Sequence, residues 1–489
     1  MTLLPAVQSF LDKDHLLLID GEWTAAADGK TFLTINPATG KPLASVACAG
    51  SDDIDRAVTA ARRALTAGPW SRMSGTQRAR LLWRVAELIE LHQEELAQLE
   101  SLDQGKPVTV ARVADVAGSA ETFRYMAGWA TKITGSTIPV GPPGAFHAFT
   151  VKEPVGVAGQ IVPWNFPLAM AAWKLAPALA AGCTVLLKPA ENTPLSTLRL
   201  GELMIEAGFP PGTINIVPGF GKVAGAAIAA HPGIDKIAFT GSTAVGKSIV
   251  AAAAGNLKRV SLELGGKNPV IVLPDADLAR AVPAIVQGAF ANCGQVCTAA
   301  SRALVHRSVL AAVTEGLVKG AEALRIGPGL DEATDMGPVV SEQQMQSILD
   351  RINTASREGA TIATGGRRMG EEGYFLAPTV ITEATPAMAI SREEVFGPVI
   401  SLMPFDDIDE AIALANATEY GLTAQVWTQD IAAANRFSNA LNSGSVWING
   451  KSMDIALPFG GFGQSGWGLE KGAEGVDIYT RTKTVVHAF

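Results

Sequence analysis

Cysteine is scarce, with four residues (Cys48, Cys183, Cys293 and Cys297) in a chain of 489. That is too few for a disulfide scaffold in a chain this long. Only Cys293 and Cys297 lie close together, no histidine falls within a few residues of them, and no second pair completes a zinc set. No metal site is expected, and a reducing compartment is. Charge is also sparse: 18% of residues, net −8, with no dense Lys/Arg run. This argues against nucleic acid and anionic membrane surfaces as partners. No stretch of about 18 apolar residues runs free of Pro or charge, so no membrane span is expected. The first residues carry Asp12, Lys13 and Asp14 ahead of any long apolar run and lack a signal-peptide pattern. The expectation is a cytoplasmic protein. There is no low-complexity segment and no short-period repeat.

What the chain has is hydrophobic residues, at 48%. Its length predicts two or three domains, each with a substantial interior. A helix is expected from Ser51-Asp52-Asp53, and a longer one from Ser74 to a stop at Gly105. From Val155 onward, short apolar runs (VGVAGQIV, CTVLLKP, TINIVPG, KIAFTG, PVIVL) alternate with helical stretches. Such runs read as buried parallel strands of doubly wound sheets. Two α/β regions are expected, one ending near Gly266 and another running to about Gly466. The stretch Gly135 to Lys152, with its Gly-Pro-Pro-Gly turn, and the tail Tyr479 to Phe489 fit neither. They read as strands whose exposed edges pair with another subunit.

Six motifs carry chemistry. In Phe290-Ala-Asn-Cys-Gly-Gln-Val-Cys297, a thiol becomes a good nucleophile only when a neighbouring donor or helix start stabilises its thiolate. Taken alone, Cys297 also reads as a buried structural cysteine, and Cys293 reads so by preference. In Leu262-Glu263-Leu-Gly-Gly-Lys267, apolar neighbours raise a carboxylate toward general-base work; a solvated strand end is the alternative. In Val162-Pro-Trp-Asn-Phe-Pro167, a rigidly held Asn165 could donate to an oxyanion or be an ordinary turn residue. Phe239-Thr-Gly-Ser-Thr-Ala-Val-Gly-Lys-Ser248 places a helix start after a strand, which suits phosphate. From Gly241 to Ser248 it also fits the P-loop pattern, with Asp275 as the tempting magnesium partner and ATP hydrolysis as the implied activity. In Leu187-Lys-Pro-Ala-Glu191, an acid at a strand end suits ribose hydroxyls and disfavours a 2′-phosphate, although Lys188 softens that preference. In Glu393-Glu-Val-Phe-Gly-Pro398, Glu394 and Phe396 could hold a nicotinamide ribose and ring.

Together, PWNFP, KPAE, FTGST, LELGGK, GQVC, EEVFGP and PFGGF stand in the order and spacing of the aldehyde dehydrogenase superfamily. The chain resembles that family from Ile19-Asp-Gly-Glu-Trp23 to its last strand. The resemblance implies two Rossmann-like domains plus a small β oligomerisation arm. Cofactor binding falls to residues 1–134 and 155–266, catalysis to 267–470, and the arm to 135–154 and 478–489. A homo-oligomer, dimer or tetramer, is implied. So are NAD as cofactor, with NADP less favoured, and an aldehyde as substrate.

By similarity, Cys297 is the nucleophile, Glu263 the base that hydrolyses a thioester, and Asn165 the oxyanion donor. The cofactor falls to Ile161, Trp164, Lys188, Glu191, Gly221, Gly241, Ser242, Val245, Leu264, Glu394 and Phe396. Phe166, Met170, Trp173, Val296, Thr298, Met453 and Phe459 are expected to line an apolar, uncharged substrate tunnel. Three positions depart from the family pattern (Ala244, Gly463 and Leu469), none of them at the nucleophile or base. The segments VQSFLDKDHLLLIDGEW and LPFGGFGQSGWG resemble bacterial phenylacetaldehyde dehydrogenases, with a medium-chain aliphatic aldehyde as the rival substrate. A catalytically silent relative serving a structural role is the remaining alternative.

Overall fold

The computed structural model describes residues 2–141 and 143–489. Of the expected Gly-Pro-Pro-Gly turn, Pro142 lies outside the described residues. The apolar runs form strands at Val157–Ile161, Thr184–Lys188, Ile214–Ile216, Lys236–Thr240 and Arg259–Glu263, all parallel, in the centre of an eight-stranded sheet. Successive side chains leave a strand on opposite faces. Accordingly Ala158, Val185, Leu187 and Ala238 enter one core, and Val157, Leu186, Ile237 and Phe239 enter another on the far face. Burial on both faces is why these strands read as continuous apolar runs. Antiparallel partners flank this centre: Leu17–Ile19 on one side and Gly466–Trp467 on the other.

A second sheet of seven strands is built around Arg302–His306, with Pro269–Val272 and Val399–Phe405 as its parallel neighbours. A third, antiparallel sheet joins Thr480–Ala488 to Phe146–Pro154 and Thr137–Ile138. It exposes Phe146, Val486 and Phe489. The architecture is α/β, with two Rossmann-like parallel sheets and a small β arm. Among the described residues, no helix is long and apolar enough to cross a membrane, and no group of three or more His, Cys, Asp or Glu is placed to hold a metal.

Two expectations shift. The helix from Ser74 to Gly105 is two helices, Gly75–Leu91 and Gln93–Gln104. Ser74 and Gln77 form a capping box at the first start, and Gly105 closes the second in a left-handed conformation. The break falls at His92, whose Nδ1 lies 2.7 Å from Glu95 Oε2. Apolar periodicity continues through such a break, which is why the sequence hides it. The second shift concerns the end of the second α/β region. The chain is already back on the first sheet at Gly466, where Leu264 N donates to Ser465 O at 3.0 Å and Trp467 Nε1 donates to Val260 O.

The crossing from first sheet to second, residues 264–268, is anchored by Arg302. Its buried guanidinium donates to the carbonyls of Lys267 (2.9 Å), Leu414 (3.0 Å) and Ala415 (2.9 Å). The last two are carbonyls at the end of the helix Ile408–Ala415. Arg302→Met leaves the carbonyls of Lys267 and Ala415 without a donor, each costing about 1–3 kcal/mol when buried, and Leu414 O with the Ala417 amide. The expected result is a lower denaturant midpoint, with Arg302→Lys failing to restore it because a single ammonium cannot span the fork. A native midpoint in Arg302→Met would disprove the anchor.

Candidate active site

Cys297 follows an unusual turn. Asn292, Cys293 and Gly294 all have positive φ, at 51°, 57° and 66°. Left-handed backbone at two consecutive non-glycine residues is strained and persists only where the surroundings impose it. A Cβ on Gly294 would meet Gly397 O at 2.0 Å, so only glycine fits there. Further on, Asn268 Nδ2 donates to the carbonyls of Cys297 (2.7 Å) and Ala299 (3.0 Å), fixing the backbone around the thiol. No helix starts at Cys297. Burial, then Glu263 and Glu394, push the thiol up to about 12, while Lys451 and the Thr298 amide pull it down. Cys293 is buried and free, and burial raises its thiol further.

Glu263 ends the strand Arg259–Glu263 and is 4% exposed, with neither carboxylate oxygen hydrogen-bonded. Burial, and then Glu470, hold it well above the usual carboxylate range, against the opposing pull of Lys174. Lys174 and Glu470 form a buried ion pair behind it.

Asn165 lies in the loop before the helix Pro167–Ala181 and is held from two sides. Its Nδ2 donates to Gln295 O at 3.0 Å, which brings the amide to the Cys297 turn. Its carbonyl accepts from Lys106 Nζ (3.0 Å) and Asn292 Nδ2 (2.9 Å). Lys106 is fully buried, bonds Asp115 at 2.7 Å and sits 4.2 Å over the Phe166 ring. The sequence reading missed Lys106, Asn268, Asn292, Lys174 and Glu470. The available signal was for Lys174, the single charge in the apolar run Pro167–Ala181; Lys106, in a Gly-Lys-Pro turn, carried none.

The cofactor candidates gather at the carboxyl ends of the parallel strands, where ligands bind in doubly wound sheets. Ile161 and Lys188 are paired strand ends. Lys188 Nζ reaches Glu191 Oε2 at 3.2 Å, and burial lowers it. Ser242 caps the helix Thr243–Ala253, accepting from Val245 N, and Val245 is exposed in that helix's first turn. Gly221 has open space where a Cβ would stand. Glu394 folds over Gly265, accepts from Gly266 N at 3.0 Å, and is pushed by burial to about 7. Phe396, at φ 53°, meets Trp164 edge-on at 5.2 Å. An open helix start, a half-exposed acid and a glycine with free space fit a dinucleotide: amides for pyrophosphate and carboxylates for ribose hydroxyls.

A cavity of about 720 Å³ joins the two groups. Cys297, Glu263 and Asn165 line it, as do Trp164, Gly241, Ser242, Leu264, Glu394 and Phe396. Phe166, Met170, Trp173, Val296, Thr298, Met453 and Phe459 line it too. Ile161, Lys188, Glu191, Gly221 and Val245 lie outside its walls. The tunnel expected to be free of charge is not: Lys451, Lys471, Asp454 and Glu121 also line the cavity. Lys471 Nζ donates to Met453 O at 2.8 Å and sits 5.0 Å over the Trp173 ring. These charges come from the loop 451–471 and a distant helix, whose approach to Cys297 no local pattern encodes.

The P-loop alternative fails on geometry. Only Gly241 and Ser242 separate strand from helix, too little chain to wrap a phosphate, and Lys247 lies inside the helix with an exposed side chain. Asp275 follows a strand of the other sheet and accepts from Thr428 Oγ1 and the amides of Gln429 and Asp430.

Comparison with known proteins finds relatives along nearly the whole chain. The model of the aldehyde dehydrogenase family matches residues 23–485. Human retinal dehydrogenase 2 is 49% identical over 487 residues, covering 99% of this chain and 94% of its own. Human mitochondrial aldehyde dehydrogenase is 48% identical over 472 residues, covering 96% and 91%. The NAD+ complex of an aldehyde dehydrogenase from Bacillus cereus superposes with a TM-score of 0.99 at 50% identity, covering 100% of this chain and 99% of that one. Matched by the family model over residues 23–485 and about half identical to relatives along nearly all of its length, the chain belongs to the aldehyde dehydrogenase family.

Proposed function

We propose that this enzyme oxidises a hydrophobic aldehyde to the carboxylic acid with NAD, through a thioester on Cys297. One observation carries the reading: a thiol, a buried unpaired carboxylate and an anchored amide line one cavity that continues to the strand ends suited to a dinucleotide. The Cys297 sulfur attacks the aldehyde carbon. The oxygen that gains charge is held by Asn165 Nδ2 and the Cys297 amide, and losing one such donor costs about two to three orders of magnitude in rate. NAD, when bound, accepts the hydride that leaves the adduct, so that a thioester remains. Glu263 takes a proton from water, which hydrolyses that thioester; a carboxylate raised by burial is a stronger base than a solvated one.

On this reading Glu191 and Lys188 hold the adenine ribose, and Ser242, Trp164 and the helix start hold the pyrophosphate. Glu394 and Phe396 position the nicotinamide half. Residues 1–134 and 155–266 bind the cofactor, and 267–470 supply catalysis. The arm of 135–154 and 478–489, with its exposed apolar side chains, joins subunits of a homo-oligomer. The aromatic walls from Phe166, Trp173 and Phe459 favour an aryl aldehyde, phenylacetaldehyde first.

Three outcomes are expected. Cys297→Ala abolishes aldehyde oxidation while calorimetry still detects NAD binding near native affinity; retained oxidation would refute the nucleophile. Glu263→Gln accumulates acyl-enzyme visible by intact-mass spectrometry. In the native enzyme the decay of that adduct speeds up as pH rises through the raised Glu263 value, since only the ionised form accepts a proton, and the glutamine variant loses this rise. No adduct together with native turnover would exclude the base. In a panel of phenylacetaldehyde, benzaldehyde, hexanal and betaine aldehyde, followed by NADH absorbance, phenylacetaldehyde gives the highest kcat/KM. A preference for hexanal would assign the aliphatic alternative instead.

A further inference from the structure

The thiol of Cys297 sits in surroundings that oppose its ionisation. Glu263, buried at the end of one strand, and Glu394, half-buried in the Glu393–Pro398 loop, both act on it. No histidine and no helix start lies beside the sulfur to offset them. One cation does face it. Lys451 lines the same cavity, and its Nζ donates to the hydroxyl of Thr298, the residue after the nucleophile, at 2.9 Å. The ammonium is steadied on its other side by the Trp447 ring, 5.4 Å from the ring centroid.

Among the described residues, Lys451 forms no ion pair with a carboxylate. Burial lowers it, and Cys297 is the group that favours its charged form. Lys471, on the same cavity wall, feels Lys451 as a like charge and Asp454 as an opposite one. A desolvated ammonium without a carboxylate partner is costly unless it stabilises negative charge nearby.

We propose that Lys451 acts through Cys297, as the positive charge that stabilises its thiolate. The inference rests on Cys297 being the nucleophile. The thiol proton leaves to cavity water, and the sulfur lone pair then forms the bond to the carbonyl carbon while the C=O pair moves to oxygen. An opposite charge within about 4–6 Å shifts a group by about one unit or more, which is about tenfold in thiolate. Because a less basic thiolate is also less nucleophilic, the net gain below the thiol's pKa is about three- to fourfold per unit.

The test is alkylation of Cys297 by iodoacetamide, read by peptide mass spectrometry from about pH 6 to 10, in the native enzyme and in Lys451→Gln, Lys451→Met and Lys451→Arg. The two neutral variants are expected to label about threefold or more slowly at the lower pH values, the gap closing toward about pH 10 as the Lys451 ammonium, lowered by burial, loses its proton; thermal midpoints stay near native, and Lys451→Arg recovers the native rate. Labelling of Cys297 at the native rate in both neutral variants overturns the inference. So does a loss of turnover with unchanged labelling, because Lys451 would then be acting on the substrate. Cys297→Ser is assayed alongside: native oxidation by that variant sinks the nucleophile itself, whereas an inactive Cys297→Ser with unaltered labelling in the Lys451 variants sinks only the role of Lys451.

Discussion

Desolvation at the seam between the two parallel sheets governs the chemistry of this enzyme. It acts on thiol, carboxylate and ammonium alike, in each case against the charged form. Cys297 rises to about 12, Glu394 to about 7 and Glu263 well above the carboxylate range, while Lys451 and Lys471 fall. The resting site therefore holds its groups closer to neutrality than they would be in water. On the proposed mechanism charge appears on sulfur and then on oxygen, where Lys451, Asn165 Nδ2 and the Cys297 amide stand ready to meet it.

Holding those dipoles still requires a stiff backbone. The left-handed run at Asn292, Cys293 and Gly294 turns the chain so sharply that a carbonyl of Gly397 occupies the place of a missing Cβ. Amides and ammoniums from three other regions then grip the turn: Asn268 on the Cys297 carbonyl, Asn165 on the Gln295 carbonyl, and Lys106 on the Asn165 carbonyl. Every link in that chain is a buried polar group with a partner, so the turn cannot relax without leaving one unsatisfied. Arg302 performs the same service for the segment that carries the chain from one sheet to the other.

The motif residues and the side chains that support them differ in how far apart their partners lie. Glu263 and Cys297 were legible as candidates because each sits in a short signature of glycines and apolar neighbours. The same is true of the strand ends at Ile161, Lys188 and Thr240, which follow apolar runs and precede turn residues. By contrast, Lys174 meets Glu470 across 296 positions, and Lys451 reaches Thr298 across 153. Lys174 stands out as the single charge in the apolar helix Pro167–Ala181, but nothing near it points to Glu470, and nothing near Lys451 distinguishes it from a surface residue. The uncharged tunnel expected from the sequence was wrong for that reason: its walls were read from the aromatic motifs, and the loop that brings in Lys451, Asp454 and Lys471 was not.

By itself the sequence determined the α/β class, where the buried parallel strands lie along the chain and which residues stand as candidate reacting groups, since alternation, turn chemistry and local motifs act over a few residues. It also left the helix break at His92 invisible, because apolar periodicity runs through it. Only the tertiary structure decided which charges surround the thiol, which carboxylate stays unpaired and how the turn before Cys297 is clamped. Those are consequences of burial and of contacts between distant segments, and burial exists only once the two sheets have closed on each other.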